Sequence, residues 1–74
     1  MNYKDTESVE DLLFKGSRAK VGYTAEEILL RVNKQPRAIH KEIEQLLKRR
    51  EIEQLVFFFS EDNKSFLIIY RRIS

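Results

Sequence analysis

The stretch "TAEEILLRVNKQPRAIHKEIEQLLKRR", Thr24 to Arg50, decides how this chain is read. Thr24 followed by Glu27 three residues later is a capping box, and Tyr23 and Ile28 stand in hydrophobic-staple positions around it. Ala25, Ile28, Leu29 and Val32 then share one apolar face, with Leu30 off it. The spacing predicts a helix from Ala25 to Val32 or Asn33. Pro36 disfavours helical geometry at Gln35 but suits the first position of a new helix. "NKQP" is therefore a tight turn, and a further helix, "PRAIHKEIEQLLKRR", begins at Pro36. Its apolar face holds Ile39, Ile43, Leu46 and Leu47. Arg37, Lys41, Glu44 and Lys48 lie within about 40° of the opposite direction. Over 36–50, five cations face two acids, a net charge of +3 on the most basic element of the chain.

Toward the N-terminus, Val9, Leu12 and Leu13 give one stripe of a helix expected over Thr6–Lys15. Asp5 or Thr6 is the expected N-cap, and Gly16 the expected stop. Residues 1–13 carry Lys4 against Asp5, Glu7, Glu10 and Asp11, so the leading helix is acidic and the body basic. "SRAKVGY", Ser17 to Tyr23, reads as a loop or a minimal strand.

Toward the C-terminus the pattern changes. "IEQLVFFF" and "SFLIIYRRI" are rich in β-branched and aromatic residues, and "SEDNK", Ser60 to Lys64, has the composition of the loop between two strands. Alternation puts Leu55, Phe57 and Phe59 on one side and Val56 and Phe58 on the other. On the second strand it puts Phe66, Ile68 and Tyr70 opposite Leu67 and Ile69. Neither side is polar, so the sequence leaves open which one faces the helices. We expect Val56, Phe58, Leu67 and Ile69 to form the uncovered side. An apolar patch of this kind marks an interface, and an open edge of this composition invites unwanted pairing. A homodimer or a protein partner would cover it; helix 1 or the N-terminal residues wrapped over it are the alternative.

The bulk properties set the frame. Seventy-four residues form a single domain, 1–74. There is no cysteine, the N-terminus is too polar for a signal peptide, and no run is long and apolar enough for a membrane span. A cytoplasmic protein with no membrane association is expected. Catalysis is not: His40 is the only histidine, and His40 with Glu44 gives two ligands where a metal needs more. No phosphate-binding glycine loop is present, and no hydroxyl has a base and an orienter around it. No cofactor and no metal is expected.

Helix, minimal strand, helix, tight turn, basic helix and two strands, in that order, resemble the winged helix-turn-helix DNA-binding domains of small transcriptional regulators. The resemblance covers Tyr23 to Tyr70 and rests on order and pattern, including the core spacing Ile39, Ile43, Leu46 and Ile52. Arg50 stands where that family often has Gly, and the turn lacks the usual small residue. The resemblance implies an α+β winged helix, three helices followed by a C-terminal β-hairpin wing. It implies sequence-specific binding of double-stranded DNA by a dimeric regulator, with helix 3 in the major groove. Arg37 and Lys41, with Gln35, His40 and Gln45, would read base edges, and Lys34, Lys48 and Lys64 would touch phosphates. Glu44 would have to accept from a cytosine amino group or pair with Lys48. Glu61 and Asp62 make the wing tip acidic. The second reading is a winged-helix protein–protein module that uses the apolar hairpin and the acidic helix 1, since fold does not fix function.

Overall fold

The capping box at Thr24 forms as the sequence dictates. The computed structural model, which describes residues 4–58 and 65–73, has Thr24 Oγ1 accepting from the Glu27 N–H at 3.1 Å, while Glu27 Oε1 accepts from the Thr24 N–H at 3.0 Å. The elements are α1 (Val9–Lys15), β1 (Tyr23–Thr24), α2 (Ala25–Arg31), α3 (Pro36–Lys48), β2 (Ile52–Phe58) and β3 (Phe66–Arg72). The protein is thus a small α+β unit of three helices and a three-stranded antiparallel sheet with strand order β1-β3-β2. No helix among the described residues is long and apolar enough to cross a membrane.

Helix α1 starts later than expected. Its N-cap is Ser8, whose Oγ accepts from the Asp11 N–H at 3.0 Å, rather than Asp5 or Thr6. The reason is tertiary. Thr6 forms a parallel bridge with Val32, donating its N–H to Arg31 O at 3.1 Å and accepting from the Asn33 N–H at 2.7 Å. Asp5 meanwhile pairs with Arg31 at 3.2 Å. The leading segment is therefore drawn along the end of α2 and cannot coil. The lower pKa of the Asp5 carboxyl has the same origin, the hydrogen bond from Arg31 first and that from Thr6 second.

Gly16 is the C-cap of α1, and sterics leave no room there for a side chain. A Cβ there would lie 2.2 Å from the Tyr23 hydroxyl and 2.4 Å from Leu12 O. Tyr23 is fully buried, and its hydroxyl accepts from the Arg18 N–H at 2.9 Å. Arg18 also lies over the Tyr23 ring, 4.8 Å from its centroid, and pairs with Glu27. The tyrosine thus ties the α1–β1 connection to the start of α2.

The core is Val9, Leu12, Leu13, Tyr23, Ile28, Val32, Ile39, Ile43, Leu46 and Ile52, with Phe14, Leu29, Leu47 and Tyr70 packed against it. All three helices and the lower end of the sheet contribute. The expected apolar faces of α1 and α3 and most of that of α2 are the buried ones. Helix α3 ends at Lys48, two residues before the end of its basic run. The Arg50 N–H donates to Leu47 O and the Glu51 N–H to Leu46 O, both at 3.0 Å, which is the Schellman closure of a helix C-terminus. Arg50 takes φ +59° there, in the left-handed region. The place where Gly was missing from the sequence has the geometry that Gly would take.

The register corrects the assignment of the apolar strand residues. Val56 pairs with Ile68, Phe58 with Phe66, Leu55 with Ile69, and Phe57 with Leu67. Directly paired residues of an antiparallel ladder point to the same side. Val56 and Phe58 therefore share a side with Phe66 and Ile68, the same side as buried Ile52 and core-packed Tyr70. Leu67 and Ile69 point the other way, with Leu55 and Phe57. The expected single face of Val56, Phe58, Leu67 and Ile69 does not exist. Alternation within each strand was right; the relative phase of the two strands depends on the loop between them.

Candidate nucleic-acid interface

Helix α3 presents its polar side outward. Arg37, His40, Lys41, Glu44, Gln45 and Lys48 are all exposed. At about 1.5 Å per residue, the stripe from Arg37 to Lys48 is ~16 Å long. Gln35 is the N-cap of the helix in extended conformation, and its side chain makes no capping hydrogen bond. Pro36 at the first helical position fits because that position has no intrahelical acceptor for an N–H. All five expected base readers, Gln35, Arg37, His40, Lys41 and Gln45, thus lie on or at the head of one exposed helix face.

The distribution of partners separates these cations from the rest. Arg18, Arg31, Lys34 and Arg71 each pair closely with a carboxylate, and Arg49 and Lys15 pair more loosely, with Glu51 at 3.7 Å and Asp11 at 3.8 Å. Arg72 Nη1 donates to Phe14 O at 3.2 Å, and Lys4 Nζ lies 3.3 Å from Leu29 O. Among the described residues, Arg37, Lys41, Lys48, Arg50 and Lys20 have no such partner. Four of those five belong to α3 or its C-terminal turn. Glu44 is also unpaired: the i,i+4 bridge to Lys48 that the sequence offered does not form. The stripe is left with three cations and one acid.

Lys34 occupies a different situation. Its Nζ lies 3.0 Å from Glu42 Oε1. The same carboxylate accepts from the Val9 N–H at 3.1 Å and, through Oε2, from the Glu10 N–H at 3.0 Å. Glu42 therefore fixes the head of α1 to the flank of α3 and holds Lys34 beside them. Partial burial pushes its carboxyl up, but the two N–H groups and Lys34 outweigh that, and the net pKa lies below the usual carboxylate range. Nothing in the sequence marks Glu42 for this role, because its partners are 32 and 33 residues away. Lys64, with Phe59, Glu61 and Asp62, falls in 59–64, outside the described residues.

Arg71 and Arg72, near the end of β3, are also engaged. Arg71 Nε donates to Glu53 Oε1 at 2.5 Å across the ladder, and Arg72 reaches α1. They brace the base of the sheet.

The outer half of the β2–β3 ladder is a second candidate surface. Val56, Phe57, Phe58 and Phe66 are 44%, 48%, 60% and 52% exposed, while Leu67 and Ile69 are half-buried. The rings of Phe58 and Phe66 lie 6.1 Å apart at a 50° tilt, a cross-strand aromatic pair. Phe57 and Phe66 belong to this exposed set and were missed; they point to opposite sides of the ladder, and their place at its outer end, beyond the helices, leaves both uncovered. No group of three or more metal-ligating side chains comes together among the described residues. Compared with known proteins, the chain matches no family model, no curated protein and no solved structure.

Proposed function

We propose that this protein is a winged-helix DNA-binding protein that acts in the cytoplasm as a small, dimeric transcriptional regulator. Helix α3 enters the major groove of double-stranded DNA. Arg37 and Lys41, with Gln35, His40 and Gln45, meet base edges, and Lys48 meets phosphate. The observation that carries this reading is the concentration of unpaired cations on α3, while most other cations of the described chain are neutralised internally. The element order and the strand order β1-β3-β2 support the winged-helix part. The exposed aromatic ladder supports self-association, and two-fold symmetry would present two α3 helices to two half-sites.

A protein–protein module is the second reading. It is favoured by Glu44, unpaired on the same face as Arg37 and Lys41, and by the exposed Phe57, Phe58 and Phe66.

The discriminating experiment is binding to random-sequence duplex DNA over a series of salt concentrations, for the natural protein and for Arg37→Ala/Lys41→Ala. Affinity should fall steeply with salt, and the double variant should bind at least tenfold more weakly with its fold intact by circular dichroism. Absence of binding at the lowest salt would reject the DNA reading in favour of the module.

A further inference from the structure

The two ends of α3 treat their cations in opposite ways. A 13-residue helix is ~20 Å long and the major groove ~12 Å wide, so a helix that meets base edges with its N-terminal half carries its trailing end out to the phosphate backbone. At the leading end, Lys34 is held by Glu42, which also binds the head of α1. At the trailing end, Arg50 is exposed and unpaired, and it sits in a backbone conformation that disfavours every residue with a Cβ. Gly is the usual residue at this position of a Schellman closure. The helix dipole does not explain the exception, since Lys48 in the last turn already places a cation there. Strain of this kind, retained at an exposed position, points to a use for the side chain.

We infer that Arg50 is a phosphate-contacting residue of the DNA complex, and that its left-handed conformation is tolerated for the sake of that charge. The inference rests on the DNA reading above and adds a contact which sequence reasoning did not assign. Together with Lys48 it gives the trailing end of α3 two free cations for one phosphate strand, whereas Lys34 at the leading end is paired with Glu42.

The test compares Arg50→Gly and Arg50→Lys with the natural chain, using a fluorescent random-sequence duplex and thermal unfolding without DNA. Arg50→Gly relieves the strain, so its Tm should rise by about 5 °C. Its DNA affinity should nevertheless fall by about 5- to 10-fold near 0.1 M salt, with the salt slope reduced by about 0.9. Arg50→Lys should restore affinity and slope without the gain in Tm. If Arg50→Gly binds as tightly as the natural chain with the same slope, the phosphate contact is refuted. If its Tm does not rise, the strain is refuted. If the natural chain itself binds no DNA, the DNA reading fails and the assignment of Arg50 fails with it.

Discussion

The helical body and the outer half of the β2–β3 ladder are built from similar residues and end in opposite states. In the body, Val9, Leu13, Ile28, Val32 and Ile39 are fully buried, each closed in by other elements of the same chain. In the ladder, Val56, Phe57, Phe58 and Phe66 keep about half their surface. Ile52 shows the transition: it lies on the same side of β2 as Val56 and Phe58 but at the base of the strand, under the helices, and is 2% exposed. What differs is position along the strand, not side-chain chemistry. The helices of a small domain reach only part of a seven-residue strand, and what lies beyond them is left for something else to cover.

Three measurements test that contrast, and the largest effect is expected in the body. Ile39→Ala should destabilise the fold by about 2–5 kcal/mol, because the site is enclosed by α3's neighbours and cannot collapse onto the space left behind. Denaturant unfolding monitored by circular dichroism reads this directly. A cost below 1 kcal/mol would mean that the body is packed no better than the ladder.

The second measurement concerns what locks the body together. Glu42 has a depressed pKa in the folded state, so the unfolded chain takes up the proton first. Its stabilisation is complete above the ordinary glutamate range near pH 4.3 and is lost as pH falls through the lower folded value. Asp5 shifts in the same direction, but its contribution is lost only as pH falls below the ordinary aspartate value of 3.8. Stability should therefore decline on acidification below about pH 4.5, and Glu42→Gln should flatten that decline. An unchanged acid limb in the variant would show that the α1–α3 lock does not operate in solution.

The smallest effect on folding, and the sharpest contrast, belongs to Phe58→Asp. As an exposed position whose one noted partner is the Phe66 ring, it should change monomer stability by about 1 kcal/mol or less. The mass by light scattering should nevertheless fall from dimer to monomer. A natural chain that is already monomeric at tens of micromolar would remove the dimer from the proposed function and leave the ladder to a different protein.

Reading the sequence worked where the decisive forces are local. The capping box of Thr24 and Glu27, the start of α3 at Pro36, and the buried positions Ile39, Ile43 and Leu46 follow from bonds and periodicities within a few residues. The outward face of α3 followed from the same periodicity. It failed where a distant partner intervened. Thr6 looked like a helix cap and is held by Val32, and nothing local foretold that Lys34 pairs with Glu42. Val56 and Phe58 were grouped with Leu67 and Ile69, although register turns the two pairs to opposite sides.

The sequence by itself thus determined the order of the three helices and the two long strands, the start of α3 at Pro36, and the apolar faces of α1 and α3. The tertiary structure decided which charges remain free, because an ion pair depends on what folding brings within 4 Å, and which side of each strand faces the body, because phase between strands is a property of the pair. Arg50 lies on the boundary. Its sequence position showed where Gly was missing, and only the backbone, at φ +59°, showed that the chain adopts the strained turn regardless.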